Sequence, residues 1–291
     1  MSVSPTPSPP SPSDPTSERL AGHSALITGG GSGIGLGCAR HLVRDGAAVV
    51  LAGRSPERLE RGAAELREAF AGTGDVEVHT VVCDVTDEAA VAEACAVAAG
   101  VGRFTMVVAN SGIGAASPFH LTTLEEWNGV LGTNLTGAFL TMKHSVPHLV
   151  RSGGGSIVAV SSIASPLTHR FMSAYCVSKA GLDMLVKQVA DELGSSGIRC
   201  NSVRPGLVPT ETTAGITATP MILEDYLEQM PLGRIGHDDD VAALARFLLG
   251  PDSAWITGQC IGVDGGHTLR RGPNLTPVME MVLGDAVRPH A

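Results

Sequence analysis

Two residues suited to proton transfer, Tyr175 and Lys179, stand four positions apart between Ser173 and Gly181. The segment that follows carries Leu182, Leu185, Val186, Val189 and Ala190 at helical spacing. It is therefore predicted to be a helix with the phenol and the ammonium on one face. A cation beside a phenol favours the phenolate and lowers a pKa that is ordinarily about 10. A tyrosine tuned in that direction works as a general acid and base near neutral pH. The pair also suits an ordinary helix surface, so its meaning depends on what accompanies it.

Upstream, the apolar run from Ser24 to Thr28 reads as a buried strand. It breaks into Gly29, Gly30, Gly31, Ser32, Gly33, Ile34 and Gly35, and a helical pattern follows over 36–43. A glycine-rich turn between strand and helix lets backbone N–H groups and the helix N-terminus approach a pyrophosphate. The glycines fit neither GxGxxG nor a P-loop, because Leu36 stands where a P-loop needs lysine. They fit Thr-Gly-x-x-x-Gly-x-Gly, with Gly29, Gly33 and Gly35 in register. A flexible loop without a ligand is the alternative, and the strand–turn–helix context argues against it.

With these residues in place, the chain resembles the short-chain dehydrogenase/reductase family over about residues 20–268. The stretch from Thr28 to Gly35 matches the family's cofactor loop and implies contacts from Gly29, Ser32, Gly33, Ile34 and Gly35. Asp84 and Val85 follow a strand over 78–82, where the family places an Asp against the adenine. Asn110, Ser111 and Gly112 resemble its Asn-Ala-Gly motif, with Ser111 replacing the alanine. Asn134 occupies the place of the catalytic asparagine, and Ser162 lies thirteen residues before Tyr175, the family's usual spacing. Pro205, Gly206, Val208 and Thr210 resemble the Pro-Gly segment on the nicotinamide side, and 255–266 looks like the final strand and turn.

The resemblance implies hydride transfer between a nicotinamide cofactor and a carbonyl or secondary alcohol, with the protein supplying orientation and a proton. Tyr175 is then the general acid/base, and Ser162 a hydrogen-bond donor to the developing charge. Lys179 lowers the tyrosine pKa and holds the ribose beside it, and Asn134 holds a water on the proton path. The choice of cofactor turns on the end of the second strand, 48–51, which runs into Gly53, Arg54 and Ser55. NAD-preferring members place a carboxylate there for the ribose 2′-OH. Here no acid is present, and Arg54, with Ser55 and Arg58 nearby, suits a 2′-phosphate. NADP(H) is favoured, with NAD(H) as the other possibility.

Length and composition suit this reading. A chain of 291 residues with 43% hydrophobic content can bury one large α/β core. Strands predicted at Ala25, Val49, Val78, Met106, Ile157, Arg199 and Cys260 alternate with helices, which implies a single-domain, Rossmann-like, doubly wound parallel sheet covered on both faces. Residues 1–19 read as a disordered Ser/Pro-rich leader without a secretory signal, 20–268 as the Rossmann-fold domain and 269–291 as a C-terminal extension. That extension suits a cap on a neighbouring subunit, a cap on its own pocket, or a loose tail. No apolar run reaches the roughly 18 residues of a membrane span.

A net charge of -9 without a basic cluster argues against nucleic acid. The six cysteines show no CxxC pairing and suit buried thiols of a cytoplasmic protein. His144 and His148 lack a third ligand nearby, and Asp238 to Asp240 suit a helix start, so no metal is expected. Helix patterns over 124–149 and 175–193 are apolar on more than one stripe, which predicts a homo-oligomer, with the tetramer favoured. The partner is otherwise a small carbonyl or alcohol, uncharged and fairly hydrophobic, facing 166–172 and 210–223, where Glu211 is the only charge of the second stretch. Alternatives are a 3-oxoacyl thioester reductase, an enoyl reductase, whose branch spaces its Tyr and Lys more widely, and a non-catalytic dinucleotide sensor.

Overall fold

The computed structural model describes residues 20–72, 76–210, 213–272 and 274–287. The leader expected over 1–19 and the acid Glu211 lie outside the described residues. All seven expected strands form: β1 (His23–Thr28), β2 (Ala48–Gly53), β3 (Val78–Val82), β4 (Arg103–Ala109), β5 (Gly155–Val160), β6 (Ile198–Pro205) and β7 (Cys260–Val263). They pair in the order β3-β2-β1-β4-β5-β6-β7, every pair parallel. The order reverses between β1 and β4, and a doubly wound sheet opens its ligand crevice at that point.

Two-residue periodicity divides the strands between two cores. Ala25, Ile27, Val49, Leu51, Met106 and Val108 face one side, and Leu26, Val50, Ala52 and Val107 face the other. The first side packs on α1 (Gly33–Arg44), α2 (Pro56–Ala69) and α9 (Asp238–Leu249). The second packs on α3 (Glu88–Gly100), α5 (Gly137–Arg151) and α6 (Ser173–Leu193). Strands buried on both faces must be apolar throughout, which is why they read as unbroken hydrophobic runs.

The expected helix over 124–149 is interrupted. Leu124–Leu131 forms α4, capped by a reciprocal Thr123–Glu126 box, and Gly132–Thr136 winds as a π turn before α5 begins. A third, smaller apolar cluster lies beyond the sheet. It joins Leu207, Ile222, Tyr226, Met230 and Leu275 through α7 (Ala214–Thr217), α8 (Pro220–Gln229) and α10 (Thr276–Leu283).

The C-terminal extension is strapped to α8 of the same chain. Arg271 makes a two-pronged pair with Asp225 of α8 at 2.6 and 3.1 Å, and the Asn274 amide donates to the same carboxylate at 2.8 Å. No helix among the described residues is long and apolar enough to cross a membrane.

Candidate active site

A cavity of about 640 Å³ opens over the carboxyl ends of β1, β4 and β5. At one end Thr28 and Asn110 join the two strands of the crossover. Thr28 Oγ1 accepts from the backbone N–H groups of Asn110 and Ser111, at 3.0 and 3.2 Å. Asn110 Nδ2 donates to the carbonyls of Thr28 and Gly29, at 3.0 and 3.1 Å. Asn110 thus holds the glycine loop as well as lining the cavity.

The loop has no room for side chains. A Cβ on Gly29 would lie 2.7 Å from Asn110 Nδ2, and one on Gly35 would lie 2.3 Å from the Gly29 carbonyl oxygen. Gly33 has φ +53, a left-handed conformation that glycine adopts without strain. Helix α1 starts with no side-chain cap and no acid in its first turn, so its first N–H groups are available to an anion. Such a cradle fits a pyrophosphate. Ser32, Gly33 and Ile34 line the cavity beside Gly29, whereas Gly35 packs beneath the loop and sets its shape.

Arg54, at the end of β2, is exposed and lines the same end with Ser55 and Arg58. Ser55 starts α2, its Oγ accepting from the Arg58 amide at 3.3 Å. Asp84 accepts from Thr86 N and Oγ1, at 2.9 and 2.8 Å. These bonds, with the nearby Arg54 charge, hold its carboxyl below the usual range despite partial burial. Val85, Gly112, Pro205, Gly206, Val208 and Thr210 line the cavity as the sequence predicts. Ser161, Ile113, Thr133 and Thr213 also line it, and sequence reasoning missed them. Ser161 had a legible signal as Ser162's neighbour at the end of β5; Ile113 and Thr213 are placed by loop packing and Thr133 by the π turn.

At the far end, Ser162, Tyr175 and Lys179 come together. Burial pushes the Tyr175 phenol up, and a hydrogen bond with Ser162 only partly offsets this. The sequence expectation of a lowered tyrosine pKa is corrected here. Lys179, itself buried, directs Nζ to the Val160 carbonyl at 2.8 Å and sits 5.8 Å from the Tyr175 ring centroid. Burial drives the ammonium down to about 8, against the pull of Asp183. At 5.8 Å from the ring, this ammonium does not outweigh the effect of burial on the phenol.

Asn134 lies in the π turn, wholly buried, and does not line the cavity. Its Oδ1 accepts from Ile113 N at 2.8 Å, and Nδ2 donates to the Ile113 carbonyl and Ser178 Oγ, at 2.9 and 3.0 Å. It still reaches the lysine's surroundings, because a Cβ on Gly112 would lie 3.3 Å from Asn134 Oδ1 and 3.5 Å from Lys179 Nζ.

One turn beyond Lys179, buried Asp183 accepts from Ser202 Oγ and Arg204 Nε, each at 2.7 Å, and from Ser165 Oγ. Burial alone would raise this carboxyl, but these bonds outweigh it and the net direction is down. Asp183 thereby joins α6, β6 and the loop after β5, the three elements on which the far end rests.

The histidine pair weighed as metal ligands is otherwise engaged. His144 Nε2 lies 2.9 Å from Glu88, and Arg151 donates to His148 Nδ1 at 2.8 Å. Among the described residues, one cluster could hold an ion, His237 with Asp238 and Asp239. Its acids face Arg40 and His41 and start α9.

A seven-stranded parallel sheet with a glycine cradle at its crossover and a Ser–Tyr–Lys group across the same cavity defines a dinucleotide-dependent oxidoreductase. The model of the family described as Enoyl-(Acyl carrier protein) reductase matches residues 29–268. Galactitol 2-dehydrogenase (L-tagatose-forming) of Cereibacter sphaeroides is 34% identical over 253 residues, covering 86% of this chain and 97% of its own. A short-chain type dehydrogenase/reductase of Mycobacterium ulcerans superposes with a TM-score of 0.90 at 40% identity, over 94% of this chain and 99% of that one. A Beutenbergia cavernae protein solved with bound NADP at low occupancy superposes with a TM-score of 0.80 at 30% identity, over 86% and 98%. The chain belongs to the short-chain dehydrogenase/reductase family and is an NAD(P)-dependent oxidoreductase.

Proposed function

We propose that this enzyme interconverts a carbonyl compound and its secondary alcohol, with Tyr175 as the proton donor and acceptor and NADPH favoured over NADH. The observation that carries the reading is one cavity that joins the glycine cradle to Ser162, Tyr175 and Lys179. When bound, the nicotinamide supplies the hydride. Burial keeps Tyr175 protonated at rest, the form that donates to a ketone oxygen. Ser162 hydrogen-bonds the same oxygen as charge develops on it. Lys179 would hold the ribose and return a proton to the tyrosine, with Asn134, across Gly112, placed to hold a water on that path. Arg54 meets the 2′-phosphate with its planar fork, and the similar Beutenbergia cavernae protein binds NADP.

The family description names an enoyl reductase, but the four-residue Tyr–Lys spacing and a relative named for polyol oxidation favour carbon–oxygen chemistry. A cytoplasmic homo-oligomer remains part of the proposal. Phe139 and Val150 of α5 and Val177 and Met184 of α6 are exposed apolar residues on helices already packed against the sheet. The deciding experiment is Tyr175→Phe. Turnover should fall by about 10²–10⁴-fold with cofactor affinity nearly unchanged, measured by NADPH oxidation and by fluorescence titration. A variant at wild-type rate refutes the mechanism.

A further inference from the structure

Tyr175, Lys179 and Asp183 stand at successive turns of α6, so their side chains leave one face of the helix. Tyr175 and Lys179 line the cavity, and Asp183 follows one turn behind them. Both Lys179 and Asp183 are buried. Ser161, at the end of β5, touches the pair: its Oγ donates to the Lys179 carbonyl at 3.4 Å and also bears on the Asp183 carboxylate.

Asp183 is held as a carboxylate from two neighbouring elements. Ser202 and Arg204 donate from β6, and Ser165 donates from the loop after β5. Hydrogen bonds of this kind favour the ionised form. The Arg204 side chain is 22% exposed, against 5% for that of Asp183. Water therefore screens the guanidinium more than the carboxylate, whose field acts through the interior. A joint between α6 and β6 needs only hydrogen bonds, whereas a buried charge is costly unless a second charge answers it.

The buried ammonium has the matching need. Its hydrogen-bond partner is the Val160 carbonyl, a neutral group, and burial without a counter-charge strips a lysine of its proton. Asp183 is the charge that bears on it. Other charged groups on the surrounding elements are turned away or engaged. Glu125 and Glu126 of α4 are exposed, and Glu126 accepts from Thr123. Arg199 of β6 donates to the Ile256 and Gly250 carbonyls, and Lys187 of α6 is exposed. Cys260 of β7 meets only the Asp183 backbone carbonyl, and burial keeps its thiol protonated.

We propose that Asp183 is a positioning residue for the reaction, a buried counter-charge set one turn behind Lys179 so that the ammonium keeps the proton it returns to Tyr175. This deepens the reading of Tyr175 and Lys179 and rests on it.

The test titrates the full chain, carrying isotope-labelled lysine, by NMR. The chain has three lysines, so Lys143→Arg and Lys187→Arg assign the signal of Lys179. In the wild type Lys179 should titrate near 8. Asp183→Asn keeps the shape of the side chain and should lower that midpoint by about one pH unit or more. The sign is decisive, because a helix merely loosened by the change admits water and moves the midpoint up towards the ordinary value of about 10.4. With the ketone of the Tyr175→Phe assay, the loss of NADPH-dependent kcat at rising pH should move down by the same amount. A Lys179 midpoint that stays or rises in Asp183→Asn, or a kcat profile that ignores a lowered midpoint, overturns the inference. Should Asp183→Asn not fold, Lys179→Met gives the reciprocal reading. Without the ammonium the folded-state pKa of Asp183 rises, so acid destabilisation in denaturant titration should begin about one pH unit higher than in wild type. An acid limb unchanged from wild type overturns the inference equally. The lysine titration needs no turnover, so a failed Tyr175 mechanism and a failed counter-charge are seen separately.

Discussion

The two ends of the cavity are built by different means. The cofactor end is backbone: glycines of one short loop, an uncapped helix start, and Asn110 clasping adjacent strand ends. The far end is side chains, Ser162 after β5 with Tyr175 and Lys179 of α6, and beyond it lies an apolar cluster fastened by the Arg271–Asp225 strap. Backbone recognition demands a fixed local pattern of glycines, and side-chain recognition accepts many. The first end therefore reads from one short run of sequence, and the second only from residues matched across a strand end and a helix.

Striking the support beneath the far end should have the largest effect. Asp183→Ala strips a buried carboxylate from Arg204 and two serines and should cost about 3–5 kcal/mol in denaturant titration. A loss under 1 kcal/mol would show that α6 and β6 do not need it. The pH dependence has a defined sign. The folded-state pKa of Asp183 is depressed, so its stabilisation is present above the unfolded value, about 3.9, and is lost as pH falls through the folded value. Asp183→Asn should accordingly flatten the acid limb of the stability curve below about pH 4.

The cofactor end alone is broken by Gly35→Ala, whose methyl would meet the Gly29 carbonyl oxygen at 2.3 Å. The loop must shift, and kcat/KM for the cofactor should fall about 10²-fold while melting temperature moves little. Retained affinity would mean that the cradle tolerates a looser loop. Arg54→Ala is the finer cut at this end. It should raise the KM for NADPH about tenfold and leave that for NADH nearly unchanged. Equal effects on the two, or a wild type that prefers NADH, removes the assignment.

The smallest effect is reserved for the strap. Arg271→Ala deletes a surface pair and should cost less than about 1 kcal/mol. It should still speed amide exchange in α8 and raise the KM for substrate without touching that for the cofactor. An α8 that exchanges as in wild type would show that the apolar cluster holds it unaided.

Legibility followed the same division. Seven strands and the glycine cradle were readable because strands buried on both faces carry unbroken apolar runs and a tight loop needs its glycines in register. Tyr175 and Lys179 could be paired from spacing within one helix, and Ser162 joined them only through the family resemblance. The direction of the Tyr175 pKa was not readable, because it depends on how deeply the phenol and the ammonium are buried, a property of packing from elements far apart in the chain. The attachment of the extension to α8 likewise depends on Arg271 finding Asp225, 46 residues away.

The π turn over Gly132–Thr136 makes the register between α4 and α5 a fixed quantity. Such a turn amounts to a single extra residue in an α-helix, and helices carry one chiefly at functional sites. Deleting one residue there would let α4 and α5 fuse into a straight, better-bonded rod. Everything on one side of the join would turn by about 100° against the other, carrying Asn134 away from Ile113 and Ser178. A shortened chain of that kind should be a sturdy protein and a poor enzyme.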